Sequence, residues 1–380
     1  MRKVKITGLA ALVATILLTN TVQAKTIQPK ENQPVQIQVN GSTISLKNPP
    51  YFAEGTWLIP LKDAVETLDC QVDWEGKTKS ITVIRGPQYA KLRIGSKEAI
   101  VNEKQTMLYA VPRLVNGKTF VPLRFVAESL GAQVEWKAAK RTIEITDSKH
   151  YTIGHGIDIE NHRFWLDDKT GTLYVSKSFV PAKEIGSIGE PIKEFARMEA
   201  RKWSQNTWIL TIWDNYGEPH INNEAYQLLV KDQKIIYQTK AYYRYWTGKL
   251  GYIYQDQAVF TDGQMIELVD QTGKVTQTYD LVRLVGEGDS YSIEGMGENY
   301  LLVKPNKTGK HILIDLKTNN KVLLYQQLLT KEEQEIAEKN DLPFYTDSLT
   351  FVGEKDGSLR FIYKHPFTNK EREVTYSIKK

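Results

Sequence analysis

The chain has 380 residues, with 50 lysines and arginines, 45 aspartates and glutamates, and one cysteine. A net charge of +5 is too weak a field to indicate binding to nucleic acid or to an anionic membrane, and a lone cysteine excludes an internal disulfide. At about 100–200 residues per domain, this length predicts two or three domains that depend on apolar cores.

The first 24 residues have the layout of a cleavable secretory signal. A basic start over 1–5 precedes an apolar run over 6–18, and the motif VQA ends at Ala24. The apolar run is too short for a spanning helix. We therefore predict cleavage after Ala24, secretion to the extracellular space or the cell wall, and no membrane span afterwards. Residues 25–34 are then a linker.

Two stretches carry nearly the same sequence 62 positions apart. One reads WLIPLKDAVETLDCQVDW over 57–74, and the other reads TFVPLRFVAESLGAQVEW over 119–136. In each, apolar residues recur at i, i+3, i+4 and i+7, which predicts amphipathic helices over 61–69 and 123–131. Alternating stretches on both sides predict strands. Residues 35–149 therefore form an α+β domain of two strand-strand-helix-strand-strand repeats.

The helix ends carry their own signals. Pro60 and Pro122 stand at the first turn, where a missing N–H costs no hydrogen bond. Gly131 supplies a left-handed residue after the second helix, and Asp69 is its poorer counterpart after the first. Cys70 occupies a small-residue position of the repeat, so we predict a buried thiol rather than a reactive one.

Trp74 and Trp136 stand at the same offset from the apolar stripe of each copy. We predict that both anchor the core at the start of a strand, and a sugar site lined by them is the alternative. The helix face opposite the stripe carries charges that we predict to be solvated, with weak i,i+4 pairing: Lys62, Glu66, Arg124 and Glu128.

The second copy resembles a known module. Its stretch VPLRFVAESLGAQVEW, preceded by NGKTF and followed by RTIEI, is similar to the copper amine oxidase N-terminal domain, a stalk module of secreted Gram-positive bacterial proteins. The first copy fits the pattern more loosely, and the resemblance covers roughly residues 35–147. It implies a surface-associated, non-catalytic accessory module. It does not imply amine oxidase activity.

The residues themselves argue against an oxidase. Copper(II) sites are typically built from imidazole ligands, and no His-x-His pair occurs in the sequence. The stretch TIWDNYG contains Asn215 and Tyr216, but Ile212 stands where the oxidase motif has threonine and Gly217 where it has an acid. We therefore predict no metal site and no cofactor.

Beyond residue 150 the composition changes to short aromatic and β-branched runs separated by turns. Five turns flanked by strands are centred on Gly171, Gln233, Gly273, Asn319 and Asn369. Units of about 40–50 residues with up to four strands are typical of propeller blades. We predict that residues 150–380 form an all-β domain, a five-bladed β-propeller. A β-sandwich or a twisted open sheet is the alternative.

Two further stretches of this region have distinct compositions. TKEEQEIAEKN, over 330–340, predicts a helix in which Thr330 and Glu333 form a capping box. GEGDSYSIEGMGEN, over 286–299, is rich in glycine but lacks the strand-then-helix context of a phosphate loop, so we interpret it as an ordinary loop.

The densest aromatic stretch is AYYRYWTGKLGYIY, over 241–254. On a strand, Tyr242, Arg244 and Trp246 share one face. We predict a strand buried on both faces between adjacent blades, and an aromatic platform for sugar rings or a peptide is the alternative. Tryptophans on neighbouring strands add some support to the platform alternative, whose candidate ligand-binding residues are Tyr242, Arg244, Trp246 and Trp213.

The function predicted from the sequence is a secreted, non-catalytic binding or accessory protein of the cell surface or cell wall. Its partner is then a cell-wall polymer, a polysaccharide or a surface protein. The alternative is an exported hydrolase acting on cell-wall or extracellular polysaccharide. A hydrolase is distinguished by two carboxylates with perturbed pKa values in one pocket, whereas a binding module presents aromatic rings without such a pair.

Overall fold

The computed structural model describes residues 35–148, 150–157, 161–178, 180–244, 248–339 and 346–378. The predicted signal and linker lie outside these ranges. The described residues are mostly β-structure and form eight sheets. Within these ranges no helix has both the length and the apolar run needed to span a bilayer.

Thirteen strands and two helices make up the N-terminal part of the chain. In chain order they are β1 (Gln36–Val39), β2 (Ser42–Ile44), β3 (Tyr51–Ala53), β4 (Thr56–Pro60), α1 (Leu61–Leu68), β5 (Gln71–Glu75), β6 (Ser80–Arg85), β7 (Gln88–Arg93), β8 (Glu98–Val101), β9 (Lys104–Met107), β10 (Arg113–Val115), β11 (Lys118–Pro122), α2 (Leu123–Ser129), β12 (Gln133–Lys137) and β13 (Thr142–Thr146).

The elements repeat as the sequence repeats. Strands β1 to β6 and helix α1 each begin 62 residues before their counterparts, β8 to β13 and α2, and β7 stands between the copies. Four strands precede each helix where the sequence analysis predicted two. The extra strands are short and largely exposed, so they lack the apolar alternation by which a strand is recognised.

The two copies exchange strands. In sheet A (β12-β13-β1-β2), β1 of the first copy pairs in parallel with β13 of the second. Sheet B (β10-β11-β4-β3) joins the copies through β4 and β11, where Ile59 lies opposite its own counterpart Val121. Sheet C (β5-β6-β7-β8-β9) uses β7 as the bridging strand. The main apolar core therefore contains residues of both copies, and a smaller cluster around Leu58 and Phe120 also joins them.

The predicted helix ends are confirmed. Asp69 and Gly131 have φ values of +45° and +88°, the left-handed conformation that ends each helix. Pro60 and Pro122 stand one position earlier than predicted, as the last residue of the preceding strand. Cys70 is buried, and burial raises the pKa of its thiol to about 12, so it is not a reactive thiolate.

Arg85 lies where the two copies meet, and it is buried. Its guanidinium donates to the carbonyl of Leu68 at 3.2 Å and to the carbonyl of Leu130, the repeat counterpart of Leu68, at 2.6 Å. It also pairs with Asp147, which stands 62 residues after Arg85 itself. The carboxyl ends of both helices therefore lie beside one positive charge. A positive charge is favourable there because the helix dipole is negative at its carboxyl end.

Twenty strands and three helices make up the C-terminal part. They are β14 (Tyr151–Ile153), β15 (His155–Ile157), β16 (His162–Asp167), β17 (Thr172–Lys177), β18 (Lys183–Ser187), β19 (Phe195–Ser204), β20 (Thr207–Tyr216), β21 (Asn222–Lys231), β22 (Lys234–Tyr243), β23 (Tyr252–Tyr254), β24 (Gln257–Thr261), β25 (Met265–Val269), β26 (Val275–Asp280), α3 (Leu281–Val285), β27 (Tyr291–Gly297), β28 (Tyr300–Pro305), β29 (Ile312–Asp315), β30 (Lys321–Leu323), α4 (Leu324–Leu328), α5 (Lys331–Glu338), β31 (Leu349–Lys355), β32 (Ser358–Lys364) and β33 (Glu371–Ser377).

These strands form five sheets that follow one another along the chain. They are D (β14-β16-β17-β18), E (β15-β19-β20-β21-β22), F (β23 to β26), G (β27 to β30) and H (β31 to β33). All five predicted turn centres have positive φ, between +55° and +85°, which confirms them as turns: Gly171, Gln233, Gly273, Asn319 and Asn369.

Apolar clusters join each C-terminal sheet to the next. Separate clusters lie between D and E, E and F, F and G, and G and H. Among the described residues no cluster joins H back to D. The mostly β fold is confirmed, while the closed ring and the number of blades stay predictions.

The short helices and the glycine-rich stretch differ partly from expectation. Helix α5 has the predicted capping box, and α3 and α4 are additional. The stretch interpreted as a loop contains strand β27. Its glycines allow close packing, since a Cβ on Gly295 would come within 2.8 Å of the Phe351 ring.

Candidate functional site

The aromatic stretch begins on strand β22, which ends at Tyr243. Tyr242 is 44% exposed and Tyr243 is fully buried, as strand alternation requires. The interpretation as a strand buried on both faces is therefore wrong at this point. The strand also stops before Arg244, so alternation does not continue the exposed face beyond Tyr242. Trp246 lies outside the described residues.

The predicted ligand residues do not all share one surface. Trp213 lies on the face of sheet E that also carries the buried Tyr243, and it packs under the guanidinium of Arg197 at 4.6 Å. Tyr242 lies on the opposite face, directly across from Glu224. A platform that combines Trp213 with Tyr242 is therefore wrong, whereas a ligand site at Tyr242 alone stays a prediction.

Part of the aromatic stretch connects sheet E to sheet G. The Tyr243 hydroxyl donates to the Tyr291 carbonyl at 3.3 Å. The Arg244 N–H donates to Oδ1 of Asn306 at 2.8 Å, and farther along the Lys249 N–H donates to the carbonyl of Ile293 at 3.3 Å. These bonds give the stretch a structural role that its composition did not reveal.

Two carboxylates face each other on neighbouring strands of sheet E. Asp214 and Glu224 are cross-strand partners, and both are buried. Asp214 accepts hydrogen bonds from the N–H groups of Lys193, at 2.7 Å, and Glu194, at 3.2 Å. Burial favours a higher pKa for Glu224, but hydrogen bonds from Lys193 and Lys240 outweigh it and lower the pKa. Hydrogen-bond partners fix both side chains, and the lowered pKa of Glu224 does not suit a general acid.

A second carboxylate region lies near the start of sheet D. A cleft of about 610 Å³ is lined by Asp168, His150, Lys169 and Glu194. Burial raises the pKa of Asp168, against a hydrogen bond of 3.3 Å that its side chain accepts from the Thr152 N–H. A carboxyl group with a raised pKa is what general acid catalysis requires. The hydrolase alternative requires two such carboxylates in one pocket, and Asp168 supplies one of them.

The N-terminal domain carries a concavity that we call the aromatic pocket. It has a volume of about 390 Å³, within the range of about 300–1,000 Å³ typical of small-molecule sites. Its lining includes residues of both copies. Phe52 and Trp57 come from the first copy, and Tyr109, Arg124 and Trp136 come from the second.

The aromatic rings of the pocket contact one another, and two of them are largely exposed. The Trp57 and Trp136 rings lie 5.8 Å apart between centroids, at 39° to each other. Phe52 packs edge-on against Trp57 at 5.3 Å. Phe52 and Tyr109 are 57% and 79% exposed, far more than apolar cores leave uncovered.

The repeat places different residues at the equivalent positions of the other copy. The counterparts of Phe52, Trp57 and Tyr109 are Leu114, Thr119 and Lys47. Lys47 there forms an ion pair with Glu66 at 2.8 Å. The backbone is duplicated, but the set of aromatic side chains is present only once.

Trp74, the counterpart of Trp136, is 44% exposed, so the prediction that it anchors the core is wrong. It lies one residue before the end of strand β5, and it is not among the described residues that pack against the core. Trp136 does pack against the core, while also lining the aromatic pocket. Trp136 is the one member of the aromatic pocket that the sequence offered for a sugar site, and Phe52, Trp57 and Tyr109 were not predicted. Their signal was an aromatic residue at repeat positions where the other copy has none.

No group of three or more histidine, cysteine, aspartate or glutamate side chains within the described ranges could hold a metal ion. The aromatic pocket contains no carboxylate in its lining and no thiol. Its chemistry is therefore that of stacking and of one guanidinium.

Comparisons with known proteins support the N-terminal resemblance. Residues 38–145 match the family model of the copper amine oxidase N-terminal domain, so this part of the chain carries that domain. A Brevibacillus choshinensis protein named protease inhibitor is 35% identical over 130 residues. The match covers 34% of this chain and 39% of that protein, so the chain spans well under half of its relative.

Solved structures resemble the chain only weakly. Virginiamycin B lyase from Staphylococcus aureus has a TM-score of 0.27 and 8% identity over 81% of this chain and 94% of its own. A streptogramin B lyase has a TM-score of 0.27 and 9% identity over 81% of this chain and 92% of its own. Similarity at this level carries no conclusion on fold or function.

Proposed function

We propose that the chain is a secreted, non-catalytic binding or accessory protein of the cell surface, and that the aromatic pocket is its glycan-binding site. The single observation that carries this proposal is the set of four aromatic rings around one concavity, two of them largely exposed. Aromatic faces pack well against the apolar faces of sugar rings, while water and polar groups surround the sugar hydroxyls.

The proposed architecture follows the two regions of the chain. Residues 35–149 act as the domain that binds the cell-wall polymer or polysaccharide. Residues 150–380 form a propeller-like domain, with sheets D to H as its five blades, that presents a further surface at Tyr242. The N-terminal family domain and its non-catalytic character support this division of roles.

The experiment is a binding measurement on the chain over residues 25–380, with purified peptidoglycan and purified wall polysaccharide as ligands. Trp57→Thr gives the site the residue that the other copy has at this position, and we expect affinity to fall about tenfold or more. Trp74→Ala is the matched control, because Trp74 is exposed outside the aromatic pocket. Binding that Trp57→Thr leaves unchanged would contradict the proposal.

A second candidate is an exported hydrolase, and the raised pKa of Asp168 in its open cleft favours it. In this case the chain releases soluble fragments from the polysaccharide that it binds. Asp168→Asn removes the acid and should abolish release while leaving affinity at the aromatic pocket unchanged. Absence of released fragments from every wall fraction with the unmodified chain rules this candidate out.

The relative named protease inhibitor suggests another non-catalytic role. Protease inhibition is tested by measuring the activity of serine, cysteine and metalloproteases in the presence of the purified chain. Inhibition that persists in Trp57→Thr would separate this role from the aromatic pocket.

A further inference from the structure

We infer that the aromatic pocket selects an anionic sugar, and that Arg124 at its mouth binds the carboxylate or phosphate of that sugar. This inference rests on the proposed function, since it names the class of glycan for the same site. It is carried by the charge of the pocket lining, by the loose pairing of Arg124 and by the difference between the two copies.

The lining of the aromatic pocket contains one charged side chain, Arg124, and no acidic one. Arg124 shares this lining with Phe52, Trp57, Tyr109 and Trp136, and its side chain is 46% exposed, so a ligand in the pocket can reach it. Guanidinium donors match a carboxylate or a phosphate in a bidentate arrangement, so an arginine next to stacking rings favours a sugar that carries such a group.

Arg124 is not engaged strongly by the protein itself. Its ion pair with Glu128, one turn farther along α2, measures 3.9 Å from Nε to the carboxylate oxygen, which is longer than a hydrogen bond. Both side chains are about half exposed, at 46% and 52%. An exposed i,i+4 pair of this length contributes little, so an incoming anion can replace it without leaving a buried charge.

The other copy shows what the same backbone looks like without such a site. The counterpart of Arg124 is Lys62, and the aromatic Tyr109 is replaced by Lys47. Lys47 is held by Glu66 at 2.8 Å, which neutralises it. The combination of stacking rings with a weakly paired arginine therefore occurs once in the repeat, and one anionic sugar should bind per chain.

The test is titration calorimetry on the chain over residues 25–380 with three probes. They are oligomers of glucuronic acid, neutral oligomers of glucose, and glucose 6-phosphate. We expect the glucuronic acid oligomer to bind at least about tenfold tighter than the neutral oligomer, with one site per chain. The phosphate probe distinguishes a phosphorylated sugar from a carboxylated one as the preferred source of charge.

Variants assign that preference to one residue. Arg124→Met keeps the length and packing of the side chain, and we expect it to abolish the preference for charged sugars while neutral binding remains. Lys62→Met removes a cation at the equivalent position and should leave every affinity unchanged. Arg124→Lys should restore part of the preference, because lysine supplies charge without the bidentate geometry.

The outcomes separate this inference from the proposal on which it rests. Equal affinity for charged and neutral oligomers, reduced together by Trp57→Thr, overturns the role of Arg124 and supports the glycan site. A charge preference that survives in Arg124→Met also overturns it. Failure of all sugar probes and all wall fractions to bind contradicts the proposed function itself.

Discussion

The N-terminal and C-terminal regions use repetition in opposite ways. In the N-terminal region each copy completes a sheet that the other copy begins, as β1 does beside β13, and the apolar clusters contain residues of both copies. In the C-terminal region each sheet is built mainly from consecutive strands, and the apolar clusters between sheets, among the described residues, join each sheet to the next. The first arrangement is interlocked, and the second is serial.

This difference determines where a single side chain matters. In the interlocked region a residue such as Arg85, which lies where the two copies meet, contacts both copies. One substitution there affects the whole domain. In the serial region a residue between two sheets affects a local junction first. Side chains outside these contacts are free to diverge between copies, which is what the aromatic pocket shows.

The largest effect should come from Arg85→Ala. It removes the donor from the carbonyls of Leu68 and Leu130 and leaves the Asp147 carboxylate without its cation. We expect a loss of about 5 kcal/mol in the free energy of unfolding, the upper end for breaking a buried ion pair. Urea denaturation followed by tryptophan fluorescence measures it.

The repeat supplies a demanding control for this prediction. Because Arg85 and Asp147 are counterparts, the double variant Arg85→Asp with Asp147→Arg presents a guanidinium to the same two carbonyls from the other copy. We expect it to recover most of the lost stability. A double variant as unstable as Arg85→Ala would show that the two positions are not interchangeable. The side-chain environments of the two copies would then differ although their backbones repeat.

The next effect concerns the junction of sheets E and G in the serial region. Tyr243→Ala removes a fully buried ring and its hydrogen bond to Tyr291, at a cost of about 3–4 kcal/mol. Tyr242→Ala is the adjacent control on the exposed face and should change stability by no more than about 0.5 kcal/mol. Chemical denaturation of both variants measures the loss in the free energy of unfolding. Equal losses would contradict the deeper burial of Tyr243.

A smaller effect is expected at the last C-terminal junction. Glu333 closes the capping box of α5 and accepts two hydrogen bonds from Arg372 on sheet H, at 2.5 and 2.7 Å. These bonds lower the pKa of Glu333 to about 2, from an ordinary value of 4.5. The stabilisation is therefore present above about pH 4.5 and is lost as the pH falls toward 2.

Glu333→Gln keeps the cap but removes the charge. We expect it to cost about 1–2 kcal/mol at pH 7 and almost nothing near pH 2, because Arg372 is partly exposed. Thermal unfolding of both proteins across this pH range gives the comparison. A cost that is the same at pH 7 and near pH 2 assigns the stabilisation to the cap rather than to the ion pair.

The smallest effect on stability should come from Trp57→Thr. Trp57 packs partly against the core, but the other copy folds with Thr119 at the same backbone position, so we expect a loss of about 1 kcal/mol. The same variant should lose sugar binding. A large loss of stability would falsify the view that this side chain has diverged for binding.

The elements that the sequence predicted well depend on local signals. The two helices follow from apolar spacing, their ends from Asp69 and Gly131, and the five C-terminal turns from residues that accept positive φ. The family resemblance agrees with the matched domain over residues 38–145. Each of these signals is contained within a few neighbouring positions of the chain.

What the sequence did not reveal depends on which distant segments meet. The exchange of β1 into the sheet of the second copy has no local signature. The aromatic pocket combines Phe52 and Trp57 of one copy with Tyr109 and Trp136 of the other, so its members are separated along the chain. The predicted platform instead relied on neighbours in sequence, and pleating placed Trp213 and Tyr242 on opposite faces.

The parallel pairing of β1 with β13 has a mechanical consequence. These are the first and last strands of the N-terminal domain, and Gln36 to Val39 run beside Thr142 to Ile145 in the same direction. Tension that pulls the two ends of the domain apart therefore acts along the strands, in shear. The hydrogen bonds between them carry the load together rather than opening one after another, so the domain should resist stretching more than one whose terminal strands unzip.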